Sequence, residues 1–135
     1  MAEPFLDTNI LLRHFLGDHP QFSAKATAII GEIAQGRLTV RISDTVVFET
    51  VFLLERTYRI ARDIIANGLL VVIDLPGIIR PGKTMYHRVF ELYTTTRLGF
   101  ADAFHVALME RLGINEVFSF DTDFDRVPGI VRREA

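Results

Sequence analysis

The sequence contains no cysteine among its 135 residues. This absence excludes a disulfide framework, a thiolate zinc site and a cysteine nucleophile. Long apolar runs are also missing, because charged and polar residues interrupt the longest candidate, residues 60–73, so no membrane-spanning helix is predicted. The first residues lack the basic segment of a signal peptide, and we therefore expect a cytoplasmic protein.

Lysine is scarce, since Lys25 and Lys83 are the only lysines among 15 basic residues and the rest are arginine. Hydrophobic residues make up 49% and charged residues 24%, with a formal net charge of −2. This composition excludes a disordered chain and collagen-like repeats, and the length predicts one domain over residues 1–135. Nucleic-acid binding stays possible, because arginine is the residue best suited to bidentate contacts with phosphate.

Helical and strand patterns alternate along the chain. Helices are predicted at residues 8–16, 20–35, 45–58, 84–97 and 101–112. Short apolar strands are predicted at residues 5–6, 38–42 and 117–120, whereas residues 60–73 fit either a helix or a strand. We expect Ser43 or Asp44 to cap the third helix and Gly99 to end the fourth. Helices between short strands indicate an α/β fold with a mostly parallel sheet.

Four acidic side chains end predicted strands or lie in apolar surroundings. Asp7 and Asp121 each follow a strand, which places both at the carboxyl edge of a parallel sheet. Glu49 and Asp102 lie among apolar residues, and we expect both to be at least partly buried. Because buried or clustered carboxylates are costly unless a cation neutralises them, these acids suggest a metal site. Oxygen ligands favour Mg²⁺ or Mn²⁺, ions that support phosphodiester hydrolysis.

Each acid also has an ordinary structural alternative. Asp7 or Asp102 could cap a helix, Asp121 could form an Asx turn, and Glu49 could pair with a distant arginine. His105 lies one turn after Asp102, where a half-buried helix histidine is the simpler interpretation because Mg²⁺ sites rarely use imidazole. The residues alone leave these alternatives open.

The order of four separated motifs resembles that of the PIN-domain ribonucleases. The motifs are FLDTNILL at residues 5–12, a lone helical Glu49, GFADAFHVA at residues 99–107 and SFDTDF at residues 119–124. The chain length is similar to that of stand-alone bacterial or archaeal toxins of the VapC type. The resemblance implies a three-layer α/β/α sandwich with a central, mostly parallel sheet. It also implies a Mg²⁺- or Mn²⁺-dependent endoribonuclease, usually a homodimer, which a cognate antitoxin protein neutralises.

The resemblance also implies roles for individual residues. The catalytic, metal-binding acids would be Asp7, Glu49, Asp102 and Asp121. Asn9 would hold Asp7 by a hydrogen bond, Ser119 would support the fourth acid, and Asp123 is an alternative to Asp121 in that position. Candidates for contacts with the RNA backbone are Arg13, Arg56, Arg59 and Arg62. The RNA target, the number of metal ions and the choice between a toxin and a processing nuclease stay open.

A competing motif lies at residues 77–84, where GIIRPGKT matches the P-loop pattern G-x-x-x-x-G-K-[ST]. A nucleotide-binding P-loop would require residues 69–73 to form the preceding strand. Pro81 argues against this function, because it removes one backbone N–H from a loop that presents such groups to phosphate. A third possibility is a non-catalytic binding protein that keeps the PIN-like fold.

Overall fold

Helices dominate the computed structural model, which describes residues 2–135 and is 57% helical. The α-helices are α1 (Thr8–Leu16), α2 (Phe22–Ala34), α3 (Asp44–Phe52), α4 (Arg62–Ile73), α5 (Met85–Thr95) and α6 (Phe100–Leu112). The strands are β1 (Val40–Arg41), β2 (Ile78–Ile79), β3 (Glu116–Phe118) and β4 (Val131–Arg133). A π-helical turn covers Leu53–Thr57 and a 3₁₀ turn covers Thr122–Arg126. Across residues 2–135, each helix is too short or too polar to cross a bilayer.

Two compact units make up the chain, an N-terminal unit that ends at Lys83 and a C-terminal unit, Thr84–Ala135. Each unit contains a pair of parallel strands beside helices, which agrees with the predicted α/β class. Helices α3 and α4 lie between β1 and β2, whereas the 3₁₀ turn lies between β3 and β4. The described strands form two separate two-stranded sheets, one in each unit. The single domain predicted for residues 1–135 stays a prediction.

The N-terminal unit is organised around three parallel segments. β1 pairs with β2 in parallel, and Phe5 forms a parallel bridge with Arg41 on the other side of β1. Apolar side chains from these segments and from the surrounding helices enclose a small void of about 10 Å³. It is lined by Leu6, Leu11, Ile42, Val47, Leu69, Val72, Ile73 and Ile78. The core therefore lies directly beneath the strands that lead to Asp7 and to α3.

Local signals set the helix ends in this unit. Gly17 ends α1 in the left-handed conformation, with φ of 61°, as its position after the apolar pattern indicates. Ser43, rather than Asp44, caps α3, because its Oγ accepts a hydrogen bond of 3.2 Å from the Val46 amide. Residues 60–73 resolve as a helix, since α4 buries Ile65, Leu69 and Ile73 at helical spacing, together with Ala66 and Val72.

Aromatic packing holds α5 and α6 together in the C-terminal unit. The rings of Phe90 and Phe100 lie 5.0 Å apart, and Tyr93 meets Phe100 edge-on at 5.5 Å. The prediction that Gly99 ends the fourth helix is wrong, because α5 stops at Thr95 and Gly99 is the N-cap residue of α6. The earlier end has a physical cause, since the Thr96 hydroxyl donates to the Leu92 carbonyl at 2.6 Å and closes the last turn.

Candidate active site

Asp7 sits between the Phe5 bridge and α1, where its side chain is exposed. Its backbone is extended and its carbonyl accepts a hydrogen bond of 3.1 Å from the Ile10 amide, but its carboxylate does not cap α1. Within residues 2–83 this carboxylate forms no hydrogen bond or ion pair. Asp7 is therefore the N-cap residue of α1 by position, but its carboxylate makes no capping hydrogen bond, and both of its oxygens are available to an external ligand within this unit.

Glu49 projects from α3 and is exposed, so the expectation that its apolar neighbours would bury it is wrong. The buried face of α3 is formed by Val46, Val47, Thr50 and Val51, and helical geometry turns Glu49 away from that face. Its carboxylate has no ion-pair or hydrogen-bond partner within residues 2–83. The alternative of pairing with an arginine is thus not realised in this unit.

The carboxyl ends of the three parallel segments carry charged residues in the N-terminal unit. Asp7 follows the Phe5 bridge, Asp44 follows β1 and Arg80 follows β2. Arg80 donates from Nε and Nη2 to the two carboxylate oxygens of Asp44 at 2.8 and 2.7 Å. Open α/β sheets place their sites at this edge. This bidentate pair was not predicted from the sequence, although Asp44 soon follows the strand predicted at residues 38–42.

Asn9 does not hold Asp7 in this structure. It lies in the first turn of α1, is exposed, and makes no side-chain hydrogen bond within residues 2–83. The reason is geometric, because side chains two positions apart at the start of a helix point in different directions. Asn9 instead lines a groove along α1 and α2.

Asp102 is half-buried in the first turn of α6 and does not cap that helix. Partial burial raises the pKa of the Asp102 carboxyl, and the negative charges of Asp121 and Asp123 act in the same direction. His105 opposes this rise in pKa, with its Nδ1 atom 3.5 Å from the Asp102 Oδ1 atom. The three carboxylates therefore lie close enough in the C-terminal unit to repel one another.

Ser119 and the turn after it fix the backbone around Asp121. The Ser119 Oγ atom accepts a hydrogen bond of 3.0 Å from the Asp121 amide, which agrees with a supporting role. Asp121 Oδ1 accepts a hydrogen bond of 2.9 Å from the Asp123 amide, so the structural alternative given for Asp121, an Asx turn, is present. That turn uses one carboxylate oxygen of Asp121, and the second remains available. Asp123 is half-buried where Asp121 is exposed, and both charges act on Asp102.

The acids have the chemistry of a hard-metal site without a preassembled cage. Across residues 2–135, no three or more histidine, aspartate or glutamate side chains are arranged to hold a metal ion. The donors are nonetheless carboxylate oxygens, the ligands that Mg²⁺ and Mn²⁺ prefer. In the C-terminal unit their mutual repulsion is the kind of interaction that a divalent cation relieves. The residues present therefore fit such a cation.

Three of the four arginines proposed for RNA contacts are engaged in ion pairs. Arg13 lies 2.9 Å from the carboxylate of Asp18, and Arg62 lies 3.3 Å from that of Glu55. Arg56 approaches the same Glu55 at 3.9 Å. Contacts with phosphate would therefore have to compete with carboxylates that already hold these guanidinium groups.

Residues 77–84 do not have the architecture of a P-loop. The preceding element is helix α4 rather than a strand, and β2 lies inside the motif. The Lys83 Nζ atom donates to the carbonyl oxygens of Leu75 and Ile78, both at 2.7 Å, so its charge faces its own loop. The nucleotide-binding alternative therefore lacks the strand, loop and free lysine that it requires.

Comparison with known protein families shows which family the chain belongs to. The sequence profile of the PIN domain matches residues 5–130, a range that contains every candidate acid. The chain belongs to the PIN domain family. PIN domains are generally nucleases that act on nucleic acids and generally use divalent metals such as Mg²⁺. No curated protein matches the sequence.

Proposed function

We propose that this PIN domain is an endoribonuclease that uses Mg²⁺ or Mn²⁺ to hydrolyse RNA phosphodiester bonds. The observation that carries the proposal is the group of three carboxylates in the C-terminal unit, where partial burial raises the pKa of Asp102 and the charges of Asp121 and Asp123 add to the rise. Carboxylates held near one another are typical of sites that bind divalent cations.

The acids that we propose for this reaction are Asp7, Glu49, Asp102 and Asp121. A divalent cation, when bound, supplies positive charge and Lewis acidity to the phosphate. The protein's own contribution is to hold the acids in place. Ser119 and the Asx turn fix the backbone of Asp121, and α6 presents Asp102 from its first turn.

The biological role that we propose is that of a toxin in a type II toxin–antitoxin pair. Its support is the resemblance of the four motifs to VapC-type toxins, together with the family match over residues 5–130. On this proposal the protein is cytoplasmic, forms a homodimer and binds a cognate antitoxin, and its strands belong to a three-layer sandwich. A free-standing processing nuclease would share the same chemistry but would not arrest growth when expressed.

The test is cleavage of single-stranded RNA by the purified protein with Mg²⁺ or Mn²⁺. We expect internal cleavage that EDTA abolishes, and loss of at least about 100-fold in rate for Asp7→Asn and Asp102→Asn, in line with the cost of removing a charged catalytic group. Asparagine keeps the size of the side chain, so the fold should be preserved. Asp63→Asn, a change of an exposed acid in the first turn of α4, is the matched control and should cleave normally.

A direct comparison of Asp121→Asn with Asp123→Asn identifies the fourth acid. Asparagine at residue 121 can still accept the hydrogen bond from the Asp123 amide, so the turn survives the change. The variant with the larger rate loss marks the acid that serves the reaction. Undiminished metal-dependent cleavage by both Asp7→Asn and Asp102→Asn would contradict the assignment of these residues as catalytic acids. Absence of cleavage by the wild-type protein would instead favour the non-catalytic binding protein.

A further inference from the structure

A groove of about 610 Å³ runs along α1 and α2 in the N-terminal unit. Its lining includes Arg13, His19 and Lys25 beside Phe22, and no acidic side chain belongs to the lining. A volume of this size is typical of sites that hold one small organic ligand. The protein carries a net charge of −2, so a groove lined by basic side chains is a local departure from the overall charge.

Lys25 is the cation of the groove that is free to take a ligand. It is exposed on α2, and its ammonium has no hydrogen bond or ion pair within residues 2–83. Arg13, by contrast, is held by Asp18 at 2.9 Å and lies 3.5 Å from the Tyr58 hydroxyl. An unpaired ammonium at the edge of a groove attracts an anionic group such as a phosphate.

Phe22 and His19 form a rigid aromatic pair in the same groove. Their ring centroids lie 4.4 Å apart with an angle of 14° between the planes. The His19 Nδ1 atom accepts hydrogen bonds from the Gln21 and Phe22 amides at 3.2 and 2.9 Å, which fixes the imidazole at the start of α2. Phe22 nevertheless remains 53% exposed. An exposed ring held in place offers a stacking surface at little cost in conformational entropy.

The groove also reaches the first turn of α1. Asn9, which belongs to its lining, lies two residues after Asp7. The Asn9 amide makes no side-chain hydrogen bond within residues 2–83, so it is free to bond to a ligand. Cation, aromatic ring and amide thus lie along one groove beside the first candidate acid.

We propose that this groove binds a nucleotide of single-stranded RNA, with a base stacked on Phe22 and a backbone phosphate on Lys25. The inference rests on the proposed function for the identity of the polymer. A backbone phosphate fits the basic side chains of the groove, and a base can stack on the exposed ring of Phe22. An acidic peptide would use the basic side chains but would not need the ring. The RNA must be single-stranded, because paired bases are stacked on one another and cannot reach a protein ring.

The test measures binding of a radiolabelled single-stranded RNA 12-mer to the full chain by filter binding in EDTA, where metal-dependent cleavage cannot occur. We expect Phe22→Ala to weaken binding about tenfold, within the range measured for loss of one stacked base. Lys25→Ala should weaken binding by several-fold and reduce the slope of log Kd against log salt by about 0.7, the value for one phosphate on a single strand. Lys25→Arg should restore both.

Matched controls separate the groove from general charge and from folding. Arg37→Ala removes one exposed positive charge beyond the C-terminal end of α2, outside the groove, and should bind RNA like the wild type. Phe22→Leu keeps an apolar side chain without the aromatic ring, and we expect it to bind RNA as weakly as Phe22→Ala does. Phe22 and Lys25 are both exposed, so circular dichroism should show unchanged folding in these variants.

The outcomes distinguish this inference from the proposed function. If the wild type cleaves RNA with Mn²⁺ but Phe22→Ala and Lys25→Ala bind RNA as tightly as the wild type, the proposal for the groove is overturned and the proposed function stands. Variants that keep RNA binding but lose binding of an acidic peptide would overturn the proposal for the groove in the same way. Groove-dependent RNA binding without any cleavage would support the groove and count against the nuclease. Duplex RNA that binds as tightly as the single strand would contradict base stacking.

Discussion

Gly77 shows how a single hydrogen atom in place of a side chain permits close packing. A Cβ atom at this position would lie 2.8 Å from the Leu38 carbonyl oxygen and 2.9 Å from the Ile33 Cγ2 atom. Because the first of these is backbone, it cannot rotate away. We expect Gly77→Ala to lower the free energy of unfolding by about 1–3 kcal/mol, as overpacking does in other cores. Urea denaturation measures the change.

Gly31 gives the matched comparison, because it lies inside α2 and a Cβ atom there would meet nothing within 4 Å. Gly31→Ala should raise the free energy of unfolding by about 0.5–1 kcal/mol, since alanine loses less backbone entropy than glycine in a helix. Equal effects of the two substitutions would show that the space around Gly77 does not matter.

Single acids illustrate what a sequence can and cannot reveal at this scale. The motifs pointed to Asp102 and to Ser119, and their described surroundings agree with the expectation of a half-buried acid and a supporting hydroxyl. Glu49 was expected to be partly buried because its neighbours are apolar, yet it is exposed. Burial in a helix follows the face on which a residue lies, and neighbours in sequence occupy other faces.

At the scale of elements, an ion pair ties α5 to α6. Arg88 donates from Nε and Nη2 to the Glu110 carboxylate at 2.8 and 2.9 Å, and this interaction lowers the pKa of Glu110 below its usual value. Because the folded protein has the lower pKa, the pair stabilises it above about pH 4.5, the usual value for glutamate, and this contribution is lost as the pH falls through the pKa of the folded state.

Arg88→Gln should therefore reduce the free energy of unfolding near pH 7 by about 0.5 kcal/mol, a value that allows for solvent screening of a partly exposed pair. The difference from the wild type should shrink as the pH is lowered from 6 towards 3, because Glu110 becomes protonated. Thermal unfolding of both proteins at several pH values between 6 and 3 measures this difference in stability. Glu91→Gln removes only a partner on the same helix and should cost less; a pH-independent difference for Arg88→Gln would contradict the pair's role.

Element types were predictable where apolar spacing was long and regular, and less so at their ends. The helix predicted at residues 8–16 is confirmed as α1 with the same bounds. The sequence alone could not decide between a helix and a strand for residues 60–73, because the apolar pattern fits both. The structure shows that packing selects a helix. Gly99 was misassigned because a glycine between two helical patterns can end one helix or begin the next, and here threonine hydroxyls ended α5 first.

At the scale of the molecule, the proposed metal site should couple to stability. If Mn²⁺ binds the folded chain only, a concentration about 100 times its Kd adds ~2.7 kcal/mol, which raises the melting temperature by several degrees. Asp102→Asn should abolish most of this gain. Without metal the same substitution should leave stability equal or higher, because it removes a half-buried charge that Asp121 and Asp123 also repel.

These two effects have opposite signs, which makes the measurement specific. Circular dichroism melts with and without Mn²⁺ give both, and Asp63→Asn should show the wild-type response to the metal. A destabilised Asp102→Asn protein that keeps its full response to Mn²⁺ would mean that Asp102 has a structural role only.

The α/β class could be predicted because alternating helices and short apolar strands limit a chain to few architectures. The separation into two units could not, since each strand pair in a unit joins residues far apart in sequence, such as Val40 with Ile78. Single-sequence patterns carry no information about such pairings. The competing P-loop motif likewise could be rejected decisively only from the positions of α4, β2 and the Lys83 ammonium.

The aromatic packing of α5 has a further consequence for spectroscopy. The chain has three tyrosines and no tryptophan, and two of them, Tyr86 and Tyr93, are fully buried in the C-terminal unit. Tyr58, in the N-terminal unit, is already exposed in the folded protein. Changes in intrinsic tyrosine fluorescence on unfolding therefore report mainly on residues 84–135, whereas circular dichroism reports the helices of both units. Two curves that fail to superimpose would reveal that the units unfold in separate transitions.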